Sequence, residues 1–410
     1  MSDVVFLKPD FGVQGGFELL MDRCRAALVE RGVEVTVESF RAHEAPDHLA
    51  GLPLPRSLWF RHPEYFSYLA NVERVDALRI DPGAVVVTTQ PPTYLLDHPR
   101  VVALTYHQAR VFYELSEAYI ASGYSPPALH REATAQVRLI DRLRLPSTHT
   151  WLAGSAEVAG RLADTWGVTA EVFQANAQEA PDPTVAERYD PAGPALCVSR
   201  HAWPKRTELA ALAGICDVGG RLELVGGGGR QPFVEALASR FGADPAGAAH
   251  VTDDLVWLNR GDPAVLGPGG GVPDRVQIRG HLDRPQVVDA FRRASVVVAP
   301  AHREDYGLTV LEAFTFGRPV IVCHDGGGLV ELVEGTGAGL VVEPRPQAIA
   351  DAMASLRDDP ARARAMAERA FAVARELDSR DDIAVLAAAI ERAGSAAPAT
   401  TGAGPAGGAS

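Results

Sequence analysis

The chain opens on a short apolar run, Val4 to Leu7. Gly12, Gly15 and Gly16 follow, and then Leu19, Leu20, Cys24, Ala27 and Leu28 recur at helical spacing. This pattern predicts strand, glycine loop, helix. Gly32 stops the helix, and Val33, Val35 and Val37 begin an alternating strand. Apolar runs at Ala84–Thr88 and Val101–Tyr106 predict two more strands. Helical periodicity follows around 110–121 and 127–144, then a short strand near Thr150–Ala153 and a helix over Glu157–Trp166. The turn-rich stretch ERYDPAGP at 187–194 predicts a linker. Beyond it the alternation restarts, with strands at Ala195–Val198, Leu222–Val225, Val276–Ile278, Ser295–Ala299, Val320–Cys323 and Ala338–Val342. Helices are expected over Arg206–Cys216, Leu308–Phe316 and Gly328–Val333, and residues 343–393 are mainly helical. Near-continuous apolar strands separated by helices predict parallel sheets covered on both faces. The chain therefore divides into two doubly wound α/β domains, 1–182 and 183–375, a C-terminal helix at 376–394, and a tail at 395–410 too poor in large apolar residues to pack.

Composition narrows the function. At 410 residues, with 47% hydrophobic and 22% charged residues, the chain can bury two cores without staples. A net charge of -13 is repelled on average by phosphate backbones and anionic lipid, which argues against a general nucleic-acid-binding role. The four cysteines, Cys24, Cys197, Cys216 and Cys323, form no CxxC pair, so no metal site or disulfide framework is expected. The opening MSDVVFLKPDFG lacks the pattern of a signal peptide, and no run approaches about 18 apolar residues. A cytoplasmic protein with no integral membrane segment is expected. Only two of the 39 basic residues are lysines, Lys8 and Lys205.

Candidate chemistry gathers after strands. Glu304 and Glu312 lie in HREDYGLTVLEAFTFGRPVIV, between two predicted strands, so Glu304 sits in a loop at the sheet's C-terminal edge, where open α/β sheets bind ligands. Gly307 permits a tight approach to the following helix, whose first amides, around Leu308 and Thr309, can face phosphate or sugar oxygens. Two carboxylates there suit polyhydroxyl recognition; ordinary helix-cap or solvated acids would give the same pattern. Arg200 and Lys205, in CVSRHAWPKRTEL, occupy another strand-to-helix loop and suit a diphosphate, with Arg206 read as the solvated neighbour. A plain basic surface loop is the alternative. The glycine loop GVQGGFE at 12–18 is not GxGxxG, and LVGGGG at 224–229 lacks GK[ST], so neither a dinucleotide fingerprint nor a Walker A loop is supported. His107 ends a strand at the same edge, where a lone histidine is more often structural than catalytic. Ser155 and Asn176 are weaker candidates of this kind, and His281 follows VQIRG near where a nucleotide base would lie. G-x-S-x-G and HExxH are absent.

Taken in order, E304-DYGLTVL-E312, the small residue after it, and Gly317, Pro319, Val320 and Ile321 resemble the retaining glycosyltransferases of family 4, the glycosyl transferases group 1. GGFE at 15–18, SRHAWPKR at 199–206 and SAEVAGRLADTWGV at 155–168 extend the resemblance over most of the chain. It implies a GT-B fold: two Rossmann-like domains facing across a cleft, with helix 376–394 returning to the first. It implies a nucleotide diphosphate sugar as donor, a UDP-sugar favoured, with no cofactor and no metal. Glu312 would hold the ribose hydroxyls and Glu304 the transferred sugar, beside the amides of Gly307, Leu308 and Thr309. Arg200 and Lys205 would grip the diphosphate, Gly16 would approach the donor phosphate, and His107 would meet the transferred sugar. His281 remains the weaker base contact. Retention is implied, with a donor phosphate oxygen taking the acceptor proton.

The chain departs from the family where FQANAQEA, 173–180, keeps Asn176 but lacks the glycine after it, and where HAWP separates Arg200 from Lys205. The acceptor is expected to be a small hydroxyl-bearing molecule, a specialised metabolite or cyclitol; the aromatic and basic stretches 40–75 and 106–124 are candidate lining for its pocket, and core packing explains many of those aromatics equally well. A sugar-nucleotide epimerase, a phosphorylase and a non-catalytic nucleotide-sugar binder are the competing readings. Oligomeric state is left open.

Overall fold

The computed structural model describes residues 3–12, 15–146, 149–174, 180–186 and 188–395. The first domain carries β1 (Val4–Leu7), β2 (Val35–Glu38), a small antiparallel hairpin of β3 (His48–Leu49) and β4 (Leu52–Pro53), and then β5 (Val85–Thr88), β6 (Val101–Thr105), β7 (Thr150–Ala153) and β8 (Glu171–Val172). Apart from the hairpin these form one sheet in the order β2-β1-β5-β6-β7-β8, every pair parallel. The second domain carries β9 (Ala195–Val198), β10 (Leu222–Val225), β11 (Val276–Gly280), β12 (Val296–Ala299), β13 (Val320–Cys323) and β14 (Gly339–Val342). Its order is β11-β10-β9-β12-β13-β14, again all parallel.

Central strands are buried on both faces and edge strands are not. Every residue of β5, β6, β10, β12 and β13 is buried, whereas β2 is mostly exposed. Helices on both faces cover the central strands, which is why those strands read as unbroken apolar runs. Each sheet reverses its strand order once, between β1 and β5 and between β9 and β12. Loops leaving such adjacent strands diverge to opposite faces, and a crevice opens at their C-terminal ends.

Helix boundaries shift at several places. The periodicity over 110–121 resolves into a 3-10 turn, Arg110–Phe112, and a short helix, Ser116–Ala121. The C-terminal helix begins at Asp382, not 376: residues 376–378 finish the preceding helix Pro360–Asp378, and a turn at 379–381 separates the two. Helix Asp382–Ser395 then lies against β5, β6 and β7 of the first sheet, with Leu386 and Ala389 fully buried there. The tail expected at 395–410 lies, but for Ser395, outside the described residues, as does Asn176.

A polar cluster seats helix Pro127–Arg144 on the first domain. Asp141 is fully buried and accepts hydrogen bonds from the hydroxyls of Tyr68, Tyr113 and, at 3.4 Å, Tyr94. Trp166 donates to the Tyr113 hydroxyl at 2.9 Å. Asp141→Ala strands these donors and is expected to cost about 3 kcal/mol, read from urea unfolding followed by tryptophan fluorescence. Burial pushes the Asp141 carboxyl up from its ordinary 3.8 to about 6, against the opposing pull of the tyrosine hydroxyls. A carboxyl raised in the folded state favours folding below its unfolded pKa and loses that contribution as pH rises through the folded one. The stability advantage of wild type over Asp141→Asn should therefore shrink between about pH 4 and pH 6. An advantage that grows over that range would overturn the assignment.

Candidate functional site

The loop from β9 to helix Thr207–Cys216 is built by its neighbours. Ser199 N–H donates to Val225 O at 3.0 Å and His201 N–H to Gly227 O at 2.9 Å, so the glycine run after β10 cradles it. Gly226 has φ +133°, and a Cβ there would lie 1.9 Å from the Ser199 carbonyl oxygen. The GGGG segment is thus a backbone support for this loop.

The three cations of this loop have three different surroundings. Arg200 is exposed at the rim. Lys205 donates from Nζ to Glu304 Oε2 at 2.6 Å, and both side chains are mostly buried. Arg206, expected to be solvated, is instead only 1% exposed and forks onto Asp325 at 2.6 and 2.9 Å while donating to the Pro300 carbonyl at 2.7 Å. His302 Nδ1 joins Asp325 at 2.9 Å. Burial raises the Asp325 carboxyl, but the hydrogen bonds from His302 and Arg206 outweigh it and hold the group well below the usual carboxylate range. Arg206 is a strut between the loops after β9, β12 and β13.

Glu304 enters from the loop after β12, on the other side of the strand-order reversal. Its N–H donates to Gly326 O and its carbonyl accepts from Gly328 N–H, both at 2.8 Å. Gly307, at φ +92°, turns the chain into helix Leu308–Thr315, and a side chain there would collide with Leu329 and Leu332. Thr309 Oγ1 donates to the Val198 carbonyl at 3.2 Å, which ties this helix start to the end of β9. Glu312, one turn on, is ion-paired with Arg284 at the start of helix Arg284–Arg293. His281 is exposed beside the glycine run, on the same side.

The first domain supplies the opposite wall. Helix Gly16–Glu30 starts at the glycine loop, and a Cβ on Gly16 would lie 2.5 Å from Leu308 Cδ1, so the two helix N-termini face each other across the junction. Their positive dipole ends converge on one place, which favours an anion. Phe17, Tyr106 and Tyr306 bridge the domains edge to face, with ring centroids 5.2 and 5.1 Å apart. His107 follows Tyr106, is half-buried, and has Nδ1 3.0 Å from the Gln108 carbonyl oxygen. Ser155 is fully buried; it caps helix Ala156–Trp166 and donates to the Asp305 carbonyl at 2.6 Å, a structural duty and not an open site position. Missed by sequence reasoning were Arg110, Glu114, Arg161 and Asp305, a buried ionic cluster at the junction. Only the i,i+4 spacing of Arg110 and Glu114 hinted at it.

Among the described residues no group of three His, Cys, Asp or Glu side chains is placed to hold a metal, and no helix is long and apolar enough to cross a membrane.

The sequence pattern of the family described as glycosyl transferases group 1 matches residues 270–373. The alpha-D-kanosaminyltransferase of Streptomyces kanamyceticus is 38% identical over 101 residues, 24% of this chain and 26% of that protein. A D-inositol 3-phosphate glycosyltransferase of Corynebacterium glutamicum is 31% identical over 143 residues, 32% of each chain. The chain thus matches about a quarter to a third of these curated relatives' length. Sucrose-phosphate synthase of Thermosynechococcus elongatus superposes with a TM-score of 0.63 at 18% identity, covering 96% of this chain and 98% of that one. Anabaena HepE, in complex with UDP and glucose, gives 0.56 at 15% identity, covering 96% and 99%.

Gly226→Ala is expected to displace the 199–206 loop and cost about 2 kcal/mol or more. Gly229→Ala, which meets nothing within 4 Å, should leave the melting temperature unchanged. Equal melting temperatures for the two variants would remove the support role.

Proposed function

We propose that this chain, which belongs to the glycosyl transferases group 1 through residues 270–373 and has the GT-B fold, moves a sugar from a nucleotide diphosphate sugar to a hydroxyl of a small acceptor with retention at the anomeric carbon. The observation that carries this reading is the Lys205–Glu304 pair at the strand-order reversal, four residues before the Leu308 helix start that Gly16 of the first domain packs against. A cation there balances the charge that builds on a departing diphosphate, and the two helix N-termini add to it, so the reaction needs no metal. Lys205 has three donors, and one can stay on Glu304 while the others turn to phosphate oxygens. Arg200, exposed at the rim, is placed to close over the same diphosphate.

Glu304, held by a cation, acts as an acceptor for hydroxyls of the transferred sugar. Glu312 takes the ribose hydroxyls, sharing them with or releasing Arg284. His281 lies toward the base. His107 meets the sugar from the first domain, and the amides of Gly307, Leu308 and Thr309 face the donor. No protein general base is assigned: a donor phosphate oxygen takes the acceptor proton as the leaving bond breaks on the same face. Contact between the domains excludes water that would otherwise hydrolyse the donor.

A UDP-sugar is favoured, in keeping with the UDP and UDP-glucose complexes of HepE. The curated relatives are named for kanosaminyl transfer and for an inositol phosphate, which fits a small polyol acceptor.

The test is a calorimetric titration with UDP, GDP, dTDP and ADP in the absence of metal, on wild type, Lys205→Ala and Glu312→Ala. UDP should bind selectively, and each substitution should weaken it by about tenfold or more. A folded protein that binds none of the four would overturn the donor site.

A further inference from the structure

Four charged side chains are buried together where the domains touch, and none takes part in the chemistry above. Arg110, in the turn after β6, has Nε 2.7 Å from Glu114 Oε1 and Nη1 3.2 Å from Asp305 Oδ2. Arg161, in helix Ala156–Trp166, donates to Glu114 Oε1 at 2.6 Å and also to Asp305 Oδ1. The side chains are 15%, 6%, 9% and 10% exposed for Arg110, Glu114, Arg161 and Asp305, so solvent screens them little. Two cations balance two anions. Three members belong to the first domain, and Asp305 alone belongs to the second.

This cluster also holds the backbone around Glu304. Arg110 donates to the carbonyls of His302 and Arg303, and Ser155 donates to the carbonyl of Asp305. Arg303 is held at φ +46°, a conformation that persists in a non-glycine residue only when its surroundings over-determine it. The first domain therefore grips the chain on both sides of Glu304, while Lys205 holds its carboxylate from the second.

We propose that Asp305 is a positioning residue: the grip of Arg110 and Arg161 on it orients Glu304 and ties the assembly of the donor-sugar contact to the relative placement of the two domains. What Glu304 touches rests on the glycosyl-transfer reading above, but the clamp does not. Moving the domains apart by a few ångströms breaks every charge-assisted bond to Asp305 and releases residues 302–305 from the first domain. A merely cohesive ion cluster would lower overall stability without singling out this loop.

The full-length chain is compared with Asp305→Asn, Arg161→Gln, the double variant and the conservative Asp305→Glu. Hydrogen exchange is read on peptides over 302–307 and, as a reference, over 207–216. The distance between spin labels at Glu132→Cys and Gln347→Cys, one exposed site on each domain, is read in a Cys216→Ser background. Asp305→Asn and Arg161→Gln should each speed exchange in 302–307 by tenfold or more, leave 207–216 within twofold, and broaden the label distance. The double variant should match Asp305→Asn, because Arg161 reaches this loop through Asp305, and Asp305→Glu should fall between wild type and Asp305→Asn. UDP affinity should stay within threefold while UDP-glucose affinity falls tenfold or more, because only the sugar contact depends on an oriented Glu304. Unchanged exchange and distance, uniform acceleration along the chain, or additive single effects would each overturn the clamp. If wild type neither binds UDP nor turns over UDP-glucose, the glycosyl-transfer reading falls while exchange and distance still decide the clamp.

Discussion

A buried charge tolerates the loss of its partner poorly, and the junction between the two domains is built on that constraint. Arg110, Glu114, Arg161 and Asp305 neutralise one another out of reach of water, so removing any one leaves an uncompensated ion whose penalty exceeds what the pair gained by forming. Such a cluster sets geometry more than it adds stability. It orients the loop after β12 relative to the turn after β6, and the ring contact of Tyr106 with Tyr306 of the second domain, backed by Phe17, fills in around it. Glu331, accepting from the amides of Ala156 and Glu157, adds a second crossing at a helix N-terminus.

The loop after β9 shows why cations close together in sequence are not interchangeable. Arg206 uses its planar fork to hold Asp325 at two points and its Nε to hold a carbonyl, and its guanidinium lies over the Trp257 ring at 5.6 Å. Such a fork suits a buried strut. Lys205 is a point charge on a flexible stem and can turn from Glu304 toward another oxygen without losing both. Arg200 lies outside the packed loop and is exposed. The chemistry asked of the loop is divided by burial, and burial is decided by which neighbouring loop each side chain meets.

Sequence likeness and structural likeness cover different extents of the chain. The family pattern lies at 270–373, within the second domain, while superposition on solved structures at 18% identity or less spans nearly the whole chain. The second domain holds the loops that carry Glu304, Glu312, Lys205 and Arg206, where spacing and backbone shape are tightly coupled. A fold can be retained through its apolar pattern alone, whereas a site needs particular groups at particular places.

What the amino-acid sequence determined by itself is whatever depends on local periodicity and short spacing. The unbroken apolar runs of β5, β6, β12 and β13, the glycine-led helix start at Gly16, the glycine turn at Gly307, and the eight-residue step from Glu304 to Glu312 are written in contiguous residues, because strand period, helix period and turn chemistry act over a few positions. The loops that carry Arg200, Lys205, Glu304 and His107 were placed correctly at strand ends for the same reason. What only the tertiary structure decided is which of these groups meet. Lys205 finds Glu304 across 99 residues, Arg206 finds Asp325 across 119, and Arg161 finds Asp305 across 144. No local rule encodes such pairs. The first two arise where the loops after β9, β12 and β13 gather within the second domain, which turned Arg206 from an expected surface cation into a buried strut; the third arises where the two domains touch, which also seats the capping Ser155 on the Asp305 carbonyl.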